Sequence, residues 1–212
     1  QPCPTSPRGT YADRPGTATC APCPLGTYAE EEGLVECTPV EPGSYLPLQG
    51  SNSSADGVPC PPGTFASEPG QEVCTDCLTG SYAESEGSVE CVMCDPGYYL
   101  PIEKATSADQ CRMCAPGTRS GEGAGQCILC PPGQYGDKEA MAECLTCPPG
   151  TFNPDAGAKS FAACVDCAAG KTSDGGDLST ADNTQCTAVT CAENHHVQDH
   201  ACVACSEMRT FG

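Results

Sequence analysis

Cys20-Ala21-Pro22-Cys23-Pro24-Leu25-Gly26-Thr27-Tyr28 is the stretch on which the reading of this chain turns. It joins a Cys-x-x-Cys box to a tight-turn signal and a short β-prone pair. Pro presets the φ that opens a turn, Gly supplies the positive φ that closes it, and Thr-Tyr favours extended backbone. The triplet after the box recurs as Gly9-Thr10-Tyr11, Gly43-Ser44-Tyr45, Gly63-Thr64-Phe65, Gly80-Ser81-Tyr82 and Gly150-Thr151-Phe152. Looser copies stand at Gly97-Tyr98-Tyr99 and Gly133-Gln134-Tyr135, and the aromatic is absent at Gly117-Thr118-Arg119 and Gly170-Lys171-Thr172. Boxes at Cys74/Cys77, Cys91/Cys94, Cys111/Cys114, Cys127/Cys130, Cys144/Cys147, Cys164/Cys167 and Cys202/Cys205 keep the same beat. From Cys20 to Cys164, with the incomplete boxes that start at Cys37 and end at Cys60 included, they start 16 to 20 residues apart, most often 17. Two independent signals at one period identify a repeat array.

Composition supports that reading. The chain has 21 Cys, 24 Gly and 21 Pro in 212 residues, no Trp, and 5% aromatics. Large apolar side chains are too few to fill one sizeable core, so a compact enzyme domain is not expected. The fold class expected is small disulfide-rich repeats, stacked as an elongated rod of short irregular β-ribbons with almost no helix. Residues 1–186 read as tandem repeats of about 17–20 residues, and 187–212 as a divergent cysteine-rich repeat cut from a longer array. A mean hydropathy of -0.31 and the lack of a long apolar run predict no transmembrane helix in this segment.

Net charge is -19, and no Lys or Arg occurs from Pro15 to Glu103. Such a surface repels phosphate backbones and excludes nucleic acid as a partner. Its plainest role is to keep a core-poor chain in solution.

An irregularity suggests which cysteines pair. The box starting at Cys37 has Val40 in place of its second Cys, and the box ending at Cys60 has Gly57 in place of its first. If the second Cys of each box bonds the first Cys of the next, these are two halves of one missing bond. The rule pairs Cys3 with Cys20, Cys23 with Cys37, Cys60 with Cys74, Cys77 with Cys91 and Cys94 with Cys111. It continues as Cys114–Cys127, Cys130–Cys144, Cys147–Cys164, Cys167–Cys186 and Cys191–Cys202, leaving Cys205 to pair beyond Gly212. Closing a loop of about 15 residues contributes on the order of 3 kcal/mol through the unfolded state. Serial disulfides therefore replace the missing hydrophobic core.

Paired Cys-x-x-Cys boxes also suit zinc, but zinc ribbons use isolated four-Cys sets. Thioredoxin-like redox chemistry needs a βαβ setting that the pattern lacks. His195, His196 and His200 cluster near the C-terminus, where a polar loop is the plainer reading than a metal site. Asp174-Gly175-Gly176-Asp177 reads as a turn rather than a calcium loop. No catalytic constellation and no cofactor motif stands out. Asn52-Ser53-Ser54 is the sole N-glycosylation sequon, so Asn52 is the candidate glycan acceptor.

Cys23-Pro24-Leu25-Gly26-Thr27-Tyr28, Cys60-Pro61-Pro62-Gly63-Thr64-Phe65 and Cys147-Pro148-Pro149-Gly150-Thr151-Phe152 resemble the ephrin-receptor-like cysteine-rich repeat. That module is related in style to tumour-necrosis-factor-receptor and EGF-like repeats, and the resemblance runs from Cys3 to about Cys186. The tail from Cys191 through Cys202-Val203-Ala204-Cys205 resembles long cysteine-rich surface proteins of algae and protists. The resemblance implies an extracellular or cell-surface location and no shared catalytic activity.

Two functions fit. One is a structural repeat protein of a filament, ciliary hair (mastigoneme-like) or surface coat, whose partners are itself or other extracellular proteins, with possible glycans. The other is the ectodomain of a receptor or adhesin. In either, Tyr45, Leu46 and Leu48, with Tyr98, Tyr99, Leu100 and Ile102, are the apolar candidates for a contact surface.

Overall fold

A computed structural model describes residues 5–14, 19–168, 171–172, 186–188, 195–198 and 201–204. Among these residues the chain forms eleven two-stranded antiparallel ribbons and three single-turn 3-10 helices. Thr27–Tyr28 pairs with Thr38–Pro39, Thr64–Phe65 with Thr75–Asp76, and Thr151–Phe152 with Val165–Asp166. Each ribbon thus joins the Gly-Thr-aromatic triplet to the pair of residues inside the next box. The final described ribbon, His195–Gln198 with Ala201–Ala204, is longer.

The turn before each ribbon follows from its sequence. In Pro24-Leu25-Gly26-Thr27 the Thr27 N–H donates to the Pro24 carbonyl at 3.2 Å, and its hydroxyl donates to the same carbonyl at 2.9 Å. Gly26 sits at φ +79°, the value a type II turn requires of its third residue. Thr64 repeats this on Pro61, and Thr151 on Pro148. The short hydroxyl residue therefore has two tasks: it starts the strand and caps the turn.

Contacts divide the chain into two bodies. One comprises Gln1–Cys94, Leu100–Cys111 and Gly123–Gly125; the other comprises Asp95–Tyr99, Arg112–Glu122 and Gln126–Gly212. In the first, the Gly26 N–H donates to the Leu46 carbonyl, the Ala29 N–H to Ser51, and the Gly50 N–H back to Cys23. Gly43, Leu46 and Gly70 repeat the set one unit later, on Ala66, Gln71 and Val40. In the second body, Gly117, Ser120 and Ala140 bond in the same way to Gly136, Met141 and Cys114. A strand of two residues cannot hold a sheet together. These bonds between units replace the ladder that the strands are too short to make.

The interior is thin and repetitive. Most units bury their second Cys, their turn Gly and the residue after the aromatic: Cys23, Gly26 and Ala29 in one unit, Cys60, Gly63 and Ala66 in another. The aromatic rings themselves are half-buried. At Gly80 the reason for glycine is steric as well as conformational. Its φ is +89°, and a β-carbon there would overlap the carbonyl oxygen of Gly123. Backbone meets backbone, so only a residue without a side chain fits.

Candidate functional site

Eight disulfides lie among the described residues, and each runs from the second Cys of one box to the first of the next. Cys23–Cys37, Cys60–Cys74, Cys77–Cys91 and Cys94–Cys111 lie in the first body. Cys114–Cys127, Cys130–Cys144, Cys147–Cys164 and Cys167–Cys186 lie in the second. Cα–Cα distances of 5.6 to 5.9 Å fall in the ordinary disulfide range. Cys20 is also disulfide-bonded, but its expected partner Cys3 lies outside the described residues. So do Cys191, Cys205, His200 and the Asp174–Asp177 turn, and the side chains of Cys202, His195 and His196.

Val40 occupies the interior position that a Cys holds elsewhere, with 5% of its surface exposed. Its Cγ2 lies 2.7 Å from where a β-carbon on Gly57 would stand. The two positions meet as a disulfide pair would, one filled by a branched side chain and the other emptied to receive it. The separation also fits. Cys94–Cys111 and Cys147–Cys164 are each 17 residues apart, as are Val40 and Gly57. Each of these three longer loops ends in a 3-10 turn, at Ser54–Asp56, Ala108–Gln110 and Phe161–Ala163.

The loop between Val40 and Gly57 is held by polar groups instead of sulfur. Ser53 caps its 3-10 turn, accepting from the Ala55 N–H at 3.2 Å. Buried Ser51 donates to an Asp56 carboxylate oxygen at 2.5 Å. Glu30 reaches in from the preceding unit, and one of its oxygens accepts from both the Ser54 N–H at 2.7 Å and the Ser54 hydroxyl at 2.6 Å. The Ser54 hydroxyl and N–H hold the Glu30 carboxyl below its usual pKa, with a smaller contribution from Arg8. Arg8, Glu30, Glu31, Asn52 and Ser53 line an open polar depression of about 450 Å³. Asn52 is exposed at its edge.

The expected contact surface needs correction. Leu46 and Leu100 are 0% and 1% exposed, so they are core residues and not docking groups. They follow the aromatic of their units, which is the inward position of the ribbon. Tyr45, Tyr98 and Tyr99 are half-buried, and only Leu48 and Ile102 are open, at 52% and 45%. In the third long loop the inward position is Asn153, buried because its amide donates to the Gln134 carbonyl and its oxygen accepts from the Asp155 N–H.

Sequence reasoning missed a further set of exposed apolar residues. The residues between the two Cys of a box form the outer strand and are exposed. They include Val92 and Met93 in the first body, and Met113, Ile128 and Leu129 in the second. The signal was present in the Cys-x-x-Cys boxes, whose inner positions are Ala-Pro at Ala21-Pro22 and Thr-Asp at Thr75-Asp76 but Val-Met at Val92-Met93 and Ile-Leu at Ile128-Leu129. Among the described residues no group of three or more His, Cys, Asp or Glu is placed to hold a metal ion, and no helix is long and apolar enough to cross a membrane.

A family model described as tyrosine-protein kinase ephrin type A/B receptor-like matches residues 9–57, 63–111 and 117–164. Its matches start 54 residues apart, and each spans three units and ends where a 3-10 loop closes, at Gly57, Cys111 or Cys164. No curated protein matches the chain significantly. The matched module is a non-catalytic cysteine-rich one, and serial disulfides with these repeats indicate an extracellular or secreted domain.

Proposed function

The chain belongs to the ephrin-receptor-like family of cysteine-rich repeats, and from that premise we propose that it is a structural segment of an extracellular filament, ciliary hair or surface coat. One observation carries the reading: the described units devote their buried positions and backbone donors to neighbouring units, and eight of them close on one disulfide each. In Cys60–Cys74 and Cys130–Cys144 alike, the interior is a sulfur bridge, a glycine and a small residue, an arrangement suited to resisting extension. Its partners in this role are copies of itself or other extracellular proteins meeting it laterally or end to end. Negative-stain microscopy of native material tests the reading. Periodic filaments that an antibody to this chain decorates are expected; isolated monomers on the grid would refute it.

A second reading is the ectodomain of a receptor or adhesin. Exposed Leu48 and Ile102 favour it, because they stand at the same place in two matched repeats and present apolar side chains beside Pro47 and Pro101. Charged substitution at both would abolish partner capture under this reading, with filaments unaffected.

A further inference from the structure

We propose that Asn52 is an N-linked glycan acceptor, and that its modification precedes the folding of its loop. The sequon Asn52-Ser53-Ser54 requires both the Asn amide and the hydroxyl of the residue two places on. In the folded chain that hydroxyl is committed, since Ser54 donates to Glu30 at 2.6 Å. The backbone is committed too. Ser53 caps a 3-10 turn over Ser54–Asp56, and the Gly57 N–H closes it on the Ser54 carbonyl at 3.1 Å. A transferase that must engage the Ser54 hydroxyl and the backbone around it meets both already bonded once this unit has formed.

A second, independent feature falls on the same loop. The corresponding loops of the other two matched repeats are closed by Cys94–Cys111 and Cys147–Cys164. At the place of the sequon those loops carry Thr106-Ser107-Ala108 and Lys159-Ser160-Phe161, without Asn. The loop with the acceptor is the one in which Val40 and Gly57 stand where a bond would close it. A disulfide there would fix the loop soon after both sulfurs reached an oxidising compartment. Its replacement by an apolar contact leaves the acceptor extended until the whole unit packs. Loss of the bond and gain of the acceptor are therefore one device.

The chemistry is a simple transfer. The Asn52 side-chain nitrogen attacks the anomeric carbon of an oligosaccharide carried on a lipid diphosphate. The nitrogen–carbon bond forms, the bond from that carbon to the diphosphate oxygen breaks, and the lipid diphosphate leaves. The nitrogen gives up one proton to the transferase, and nothing is oxidised or reduced. In the folded product Asn52 is exposed beside the polar depression of Arg8, Glu30 and Glu31, which leaves room for the first sugar.

The full chain secreted from a eukaryotic host tests this by intact mass before and after amidase removal of N-glycans. A glycan is expected on the parent chain and on Ser54→Thr, none on Asn52→Gln, and a severalfold lower occupancy on the Val40→Cys/Gly57→Cys double variant. In a second arm, purified transferase with a lipid-linked oligosaccharide is expected to modify the reduced, unfolded chain and not the oxidised one. Parent and Ser54→Thr chains secreted without a glycan would overturn the acceptor assignment. Equal modification of folded and unfolded chains would overturn the order of events.

Discussion

Val40 and Gly57 face one another across the place where neighbouring units carry a disulfide, with Val40 Cγ2 2.7 Å from the position of an added β-carbon on Gly57. The fit is mutual. Gly57 has an ordinary negative φ of -66°, so no backbone demand explains it. What explains it is the buried Val40 side chain, which fills the space that two sulfurs would otherwise occupy. Gly57→Ala is therefore expected to destabilise by about 1–3 kcal/mol through overpacking. The Val40→Cys/Gly57→Cys pair should form a disulfide and stabilise by about 3 kcal/mol. Thiol counting and thermal melting read both; free thiols at both sites in a folded double variant would show that the two positions do not share disulfide geometry.

Three glycines separate backbone strain from steric contact. Gly33→Ala meets only Thr5 Cγ2 at 3.5 Å but keeps a φ of +80°, so its cost should be that of a left-handed residue, about 1–2 kcal/mol. Gly80→Ala carries the same strain and a clash with the Gly123 backbone, and should cost clearly more. Gly121→Ala has positive φ at no point and nothing within 4 Å, and should be close to neutral. Denaturant midpoints that ranked Gly33 with Gly80 would contradict the backbone contact.

Lys104 occupies a mid-loop position where Gly50, Gly70 and Gly87 stand in other units, and it adopts φ +55°. Its ammonium pairs with Asp76 at 3.0 Å, but the two side chains are 61% and 42% exposed. An exposed pair contributes at most about 1 kcal/mol and is screened by salt. Asp76→Asn should therefore shift the melting midpoint little, with the shift vanishing at high salt. A large, salt-independent loss would show that the pair supports the strained backbone.

Glu30 makes the Ser54 cap sensitive to acid. Because its folded carboxyl titrates below the unfolded one, the cap is fully present above the ordinary carboxylate range and is lost as pH falls through the lowered value. Protection of the Ser54 amide, taken relative to its intrinsic exchange rate at each pH, should fall in that acid window and be high at neutral pH. Glu30→Gln should flatten this dependence, while a parent-like acid profile in that variant would assign the effect to another group.

Much of the architecture was legible because its determinants are local. Cysteine spacing, the Pro-x-Gly-Thr turn and the Val40/Gly57 gap are each visible within a few residues. What is decided between units was not legible. Tyr45-Leu46-Pro47-Leu48 reads as an exposed apolar stretch, yet Leu46 turns inward because its N–H and carbonyl both bond to other units, at Gln71 and Gly26. The grouping of units in threes was written in the 17-residue separations of Cys94–Cys111 and Cys147–Cys164, but it acquires meaning only when each loop is seen to end in a 3-10 turn.

Disulfide mapping under non-reducing conditions tests the account most directly. Proteolysis at acidic residues is needed, since no Lys or Arg lies between Pro15 and Glu103. Linked peptides joining Cys23 to Cys37 and Cys60 to Cys74 are predicted, with no bond across the Val40–Gly57 loop. A dominant Cys37–Cys60 peptide would contradict serial bonding from one box to the next, and with it the placement of Val40 and Gly57 as the missing pair.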